Sequence, residues 1–307
     1  MRMMIYTCAA LALLVSAGAS AQSFSFQTLD NPGDPTFNQL LGINDDGTIV
    51  GYFGSGQSGH PNQAYEISPP YTEYTGRNQN GSVQTQATGI NNAGFITGFW
   101  SNTNMGVGDA NFAFLLEPIV SKDASINTIP RLTGVAPPTS QALGINNSDV
   151  VAGFFVDVNG VSHGFTYSVR TAAYTTISIK NASSTSATGI NDNGQVCGFY
   201  VNAKGNTVGF VRNSNGGVLT SFTVPHMTFT QILGINNSGV AVGFYNDANG
   251  ISHGLYYTPS TGAWLTVDDP SGILGTVING INNNNQLVGF YTDAAGNVHG
   301  MLINVVP

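Results

Sequence analysis

Few residue types in this chain could do chemistry. Three of its five histidines, His163, His253 and His299, share the setting His-Gly-apolar, and three imidazoles can hold a zinc ion. Two loops, Asp157-Val158-Asn159-Gly160 and Asn246-Asp247-Ala248-Asn249-Gly250, have the oxygen-rich composition of calcium sites. Adjacent carboxylates, the raw material of glycosidic hydrolysis, occur at Asp45-Asp46 and Asp268-Asp269. Six asparagines, Asn44, Asn91, Asn146, Asn191, Asn236 and Asn282, each follow a Gly-Ile pair and could line a polar opening for a sugar or an anion. Tyr71, Tyr74 and Arg77 form a further candidate, in a loop whose aromatics stand outside the regular pattern.

Most of these features have a plainer explanation. Calcium needs six to eight oxygens, usually with several carboxylates. Each loop offers one acid, and the equivalent places hold Lys204 or Ala295. Hairpin turn chemistry accounts for such loops. Neighbouring acids on one strand send their side chains different ways. No Gly-x-Ser-x-Gly elbow is present, and Cys197 takes the place of Val242 and Val288, which marks it as a core residue. The sequence therefore assigns no catalytic residue, no metal ligand and no cofactor. Its binding candidates are the six asparagines together with Tyr71, Tyr74 and Arg77, and the insertion around Asn102 to Asp109 is another place where a loop could carry function.

What must position these residues is a repeat. Gly-Ile-Asn recurs at Gly42, Gly89, Gly144, Gly189, Gly234 and Gly280, at spacings of 47, 55, 45, 45 and 46 residues. A turn follows each triplet, then an apolar strand with glycine and two aromatics, as in Gly98-Phe99-Trp100 and Gly243-Phe244-Tyr245. A second turn leads to a strand with a small residue before an apolar one, and a fourth apolar segment ends most units. Four short strands with Asn, Asp and Gly turns fit each period. Paired aromatics on one strand point to opposite faces, so both faces need cover, as when each sheet packs between two others.

The chain ends carry the closure. The sixth unit stops at Pro307, too early for a fourth strand, while Phe26-Gln27-Thr28-Leu29-Asp30 resembles Leu265-Thr266-Val267-Asp268-Asp269. The expectation is an all-β, six-bladed β-propeller with four antiparallel strands per blade, the last blade completed by the N-terminal strand. In such a ring the third strand of a blade lies ~15–18 Å from the axis at ~4.8 Å per strand. Histidines there cannot converge on one ion, which favours a repeated packing or hydrogen-bonding role.

These units resemble the extracellular repeat family named for its His-Ala-Phe triplet. The likeness rests on Gly-Ile-Asn, the apolar-Gly-aromatic strand and His163-Gly164-Phe165, and it covers residues 23–307; Gln63, Phe112 and Val208 depart from the histidine. The resemblance implies a secreted or surface β-propeller-like protein and brings no catalytic residues.

Residues 1–21 read as a secretory signal peptide, with a basic start, an apolar run from Ile5 to Leu14 and Ala19-Ser20-Ala21 before the cut. Residues 22–307 form the six-repeat domain, exported to the periplasm, the cell surface or the medium. The expected mature chain has no transmembrane segment and no internal disulfide, because Cys8 leaves with the leader. Charged residues are only 8% of the sequence and form no Lys/Arg cluster, which excludes nucleic acid as a partner. A glycan or a surface protein is the expected partner of a non-enzymatic module, with oligomeric state left open. The alternatives are a lyase or hydrolase acting on polysaccharide at the channel mouth, or a structural matrix protein.

Overall fold

A computed structural model describes residues 22–103, 110–118, 126–129, 139–216 and 219–306. The leader and most of the insertion lie outside them. The described residues are all β, and each repeat supplies the expected strands. In repeat 3, for example, Ser140–Ile145, Val150–Val156, Ser162–Ser168 and Ala173–Ile177 form an antiparallel meander. The six repeats close into a propeller-like ring. Its first repeat packs on its last, where Asn279 Nδ2 donates to Leu40 O at 2.9 Å.

Two glycines per repeat make the ring possible. The glycine of each Gly-Ile-Asn faces the same glycine of the next repeat. A Cβ on Gly42 would lie 2.9 Å from Gly89 Cα, one on Gly144 3.0 Å from Gly189 Cα, and one on Gly280 3.4 Å from Gly42 Cα. Backbones thus touch around the axis, where six strands converge. The glycine before each aromatic pair packs against the innermost strand. On Gly243 a Cβ would sit 1.9 Å from Gln231 O. Each innermost strand also carries a bulge at the residue before the glycine of Gly-Ile-Asn, as between Ile232 and Gly234.

Strand Ser23–Thr28 pairs antiparallel with Val298–Val306, from Ser23↔Val306 to Thr28↔Met301. The N-terminus thus completes the last repeat. Beyond the strand, Leu29 N–H donates to Gly300 O at 2.8 Å and Leu29 is buried.

The hydrogen bonding departs from six separate sheets. Repeats 1 to 4 form four four-stranded sheets, whereas repeats 5 and 6 share one eight-stranded sheet. The cause is one parallel bridge, Ser252↔Gly275, where a third strand meets the innermost strand of the next repeat. The same contact recurs as isolated bridges at Thr207↔Phe229 and Phe37↔Val298. Only at Gly275 does it fall within the limits of the strand Gly275–Ile281.

The paired aromatics also differ from expectation. Tyr52 and Tyr291 are buried, but Phe99, Trp100, Phe154, Phe155, Phe199, Tyr200, Phe244, Tyr245 and Phe290 are only half-buried. Each glycine-aromatic pair lies near the end of its strand, so the rings are covered by cross-strand partners as much as by the next sheet. The second aromatic stacks on the residue opposite it. Phe155–His163, Tyr245–His253 and Tyr291–His299 are stacked at 5.0–5.4 Å, and Trp100–Phe112 at 4.2 Å. Phe112 thus does in repeat 2 what histidine does elsewhere.

Candidate functional site

The innermost strands end at two axial faces. At their C-terminal end stand the six asparagines. Each Oδ1 accepts from its own turn, as Asn91 does from Ala93 N–H and Phe95 N–H, which is the expected local role. Each Nδ2 also donates to the backbone carbonyl of the equivalent asparagine one repeat on. The cycle runs Asn44, Asn91, Asn146, Asn191, Asn236, Asn282 and back to Asn44, at 2.9–3.4 Å. These amides are buried staples of the ring, and together with the residues on either side they line an axial cavity at this end.

The next residue of each repeat forms a second closed cycle. Asp45, Asn92, Asn147, Asp192, Asn237 and Asn283 each donate a backbone N–H to the following side-chain Oδ1 at 2.8–2.9 Å. The two acids are three repeats apart. Asn92 and Asn283 both donate Nδ2 to Asp45 Oδ2, and Asn147 and Asn237 do so to Asp192 Oδ2, all at 2.7–2.9 Å. Burial acts to raise the Asp45 carboxyl, but hydrogen bonds from Asn92 and Asn283 outweigh it and hold the group below the ordinary carboxylate range. A carboxylate accepting three hydrogen bonds stays ionised, the wrong state for a general acid.

Tyr71, Tyr74 and Arg77 are likewise turned inward. Tyr71 OH donates to Gly47 O at 3.0 Å and Tyr74 OH to Asp30 O at 2.8 Å. Arg77 forks onto the Glu66 carboxylate through Nε and its NH2 group. Tyr74 thus ties the first repeat to the latch, while Tyr71 holds the first turn of its own repeat.

The histidines clamp their own repeats. His253 Nδ1 meets Asp268 Oδ2 at 2.7 Å, and Gly254 N–H donates to Asp268 Oδ1 at 3.1 Å. In the last repeat the latch supplies the acid: His299 Nδ1 meets Asp30 Oδ2 at 2.7 Å, and Gly300 N–H donates to Asp30 Oδ1 at 2.9 Å. The hairpin acid Asp293 lies 3.3 Å from His299 Nε2. His163 spans Asp157 and Ser178 in the same way, each at 3.0 Å. Burial would lower His299, but hydrogen bonds to Asp30 and Asp293 more than offset it and raise it above 6.5. Cys197 is fully buried, and burial pushes its thiol up to about 12, so it is no nucleophile.

A different kind of place lies toward the opposite end of the innermost strands, beside the insertion. A cavity of about 150 Å³ opens between repeats 1, 2 and 3. Phe99 and Trp100 supply its aromatic wall, with Tyr52 beside them. Gln84, Asn111, Gln86 and Gln141 bring four amides. Trp100 is held flat against Phe112, with 13° between their ring planes. Gln84 is 3% exposed; its Nε2 donates to Thr103 O at 2.6 Å while its Oε1 has no partner. Trp100 Nε1 and Asn111 Oδ1 are buried and unpartnered too. An unmet buried polar atom costs about 1–3 kcal/mol, and three of them belong to residues lining this one cavity.

Sequence reasoning pointed to the insertion but missed these residues. A signal existed. Gln84 stands where other repeats have Phe37, Thr139, Ser184, Phe229 or Gly275, and Trp100 is the only indole at its repeated position.

Neither a protein-family profile nor a curated protein sequence matches this chain. Its fold is similar to solved structures. Putative TolB from Agrobacterium tumefaciens matches with TM-score 0.56 and 11% identity over 93% of this chain and 98% of that one. AofleA from Arthrobotrys oligospora matches with TM-score 0.57 and 10% identity over 95% and 91%. A chain of the nidogen/laminin complex matches with TM-score 0.50 and 9% identity over 84% and 98%. At such identities the likeness concerns the fold, an all-β propeller-like ring. Among the described residues no helix is long and apolar enough to cross a membrane.

Proposed function

We propose that the chain is an exported, non-enzymatic binding module of the His-Ala-Phe repeat class, and that its ligand is a glycan. In this reading the ring is a six-bladed propeller occupying residues 22–307, and the eight-stranded sheet is two blades sharing one bridge. The observation that carries it is the contrast between the two axial faces. At the asparagine end the polar groups of both cycles are consumed by the ring itself. At the other end, aromatic rings and amides with unmet atoms surround a cavity, the usual composition of a small-molecule site. Both rim carboxylates are saturated by amides, which speaks against general-acid chemistry at the mouth.

The test is a glycan array probed with residues 22–307, alongside an assay for release of reducing ends. Binding to a defined glycan subset with no cleavage is expected. Cleavage, or silence across the array from a folded protein, would overturn the reading.

A further inference from the structure

We propose that the Trp100 cavity holds one neutral pyranose ring of a saccharide, with Gln84 Oε1 and Asn111 Oδ1 accepting from hydroxyls and Trp100 Nε1 donating to one. The inference rests on the glycan reading above and makes it specific. Three observations combine. The first is size. A cavity of about 150 Å³ has room for a single six-membered ring, since a protein cavity of about that size takes up benzene, and is too compact for an extended strand of polymer or peptide.

The second is charge. Every polar side chain lining the cavity is an amide, a hydroxyl or the indole N–H. A uronate, sulfate or amino sugar would bury its charge without a counter-ion. The third is the pattern of unmet atoms, two acceptors and one donor, with two of the three side chains already held in place. Gln84 is held through its Nε2 by Thr103 O, and Trp100 by the stacked Phe112 ring. A hydroxyl donates and accepts through a single atom, so adjacent sugar hydroxyls can satisfy all three atoms. A purely apolar ligand would leave each of them unmet. Phe99, half-buried on the same wall, offers a ring face to the apolar C–H face of a pyranose.

Trp100 and Trp264 are the only two tryptophans, so Trp264→Phe leaves Trp100 as the sole indole reporter. In that background, glucose, galactose, mannose, fucose, N-acetylglucosamine and their disaccharides are titrated by emission and by calorimetry. Glucuronate and glucosamine serve as charged controls. At least one neutral sugar should bind and shift Trp100 emission, and the charged forms should bind at least tenfold more weakly. Gln84→Leu and Asn111→Leu should each weaken binding at least tenfold while the melting temperature holds or rises. Trp100→Phe should weaken binding with the stack retained. Saccharide binding that survives Gln84→Leu and Asn111→Leu with unchanged emission would place the site elsewhere and leave the glycan reading intact. A preference for the charged sugars, or array binding of long glycans without binding of these small ones, would overturn the assigned ligand class. Silence in both experiments from a folded protein would sink the glycan reading as well.

Discussion

Asn236 in the fifth repeat and Asn62 in the first are both deeply buried, at 3% and 1% exposure, yet their surroundings are opposite. The Asn236 side chain accepts from Ser238 N–H and Val240 N–H and donates to Asn282 O and Asn285 Oδ1. The Asn62 side chain has no partner for either its nitrogen or its oxygen. The division extends beyond this pair. All the unmet buried side-chain atoms among the described residues belong to Asn62, Tyr65, Gln79, Gln84, Trp100 and Asn111, in repeats 1 and 2. Repeats 4 to 6 show what the pattern needs in order to stand. The seam around repeat 2 shows where that pattern has been loosened, and proteins keep such unmet groups mainly where they serve a purpose.

The largest effect that could break this contrast concerns closure. Deleting residues 22–31 removes buried Leu29, a whole edge strand and the Asp30 clamp. Because a ring shares its packing among all repeats, the loss should approach the ~5–15 kcal/mol that holds a domain together. Chemical denaturation should show one cooperative transition moved far down or abolished. Selective melting of repeat 6 alone would mean the regular repeats stand without the ring.

Next in size is Asn236→Ala. It leaves two backbone N–H groups and a neighbouring carbonyl unmet, and should cost about 2–3 kcal/mol. The mirror experiment, Asn62→Leu, replaces two unpaired atoms by apolar volume and should stabilise by about 1 kcal/mol. Equal losses in urea titrations of the two variants would erase the distinction between the regions.

The smallest effect is electrostatic. His299 is raised above its unfolded value of 6.5, so its contribution is full below that pH and fades as pH rises through the folded value. Asp293 is held down to about 2, chiefly by Asn297, with burial opposing and His299 assisting. Its contribution is present above 3.8 and is lost as pH falls towards 2. Solvent screening limits the His299 share to about 0.5 kcal/mol or less. Melting curves should show a shallow optimum between pH 3.8 and 6.5, and Asp30→Asn should flatten its alkaline side.

The ring was legible from sequence because its constraints repeat. Six Gly-Ile-Asn triplets mark places where only a hydrogen fits between backbones, and the likeness of residues 26–30 to 265–269 announced the latch. What a single repeat could not disclose was reach. An asparagine that bonds its own turn looks the same whether its second hydrogen meets solvent or the next repeat. Tyr71 and Tyr74 looked free because their acceptors, Gly47 O and Asp30 O, lie 24 and 44 residues away. The cavity was harder still. It is assembled from three repeats, and Trp100 read as one more member of an aromatic pair.

The bulged position before each Gly-Ile-Asn has one further consequence. Reading round the axis it is Leu41, Thr88, Leu143, Thr188, Leu233 and Asn279, an alternation of period two. Thr88, Thr188 and Asn279 each reach the carbonyl before the following leucine, at Ala142, Ile232 and Leu40. The rim reads Asp, Asn, Asn, Asp, Asn, Asn, an alternation of period three. No rotation short of a full circuit brings both cycles back into step. Repeats 1 and 4 therefore carry addresses of their own, and exchanging either with any other repeat would set leucine against leucine or acid beside acid.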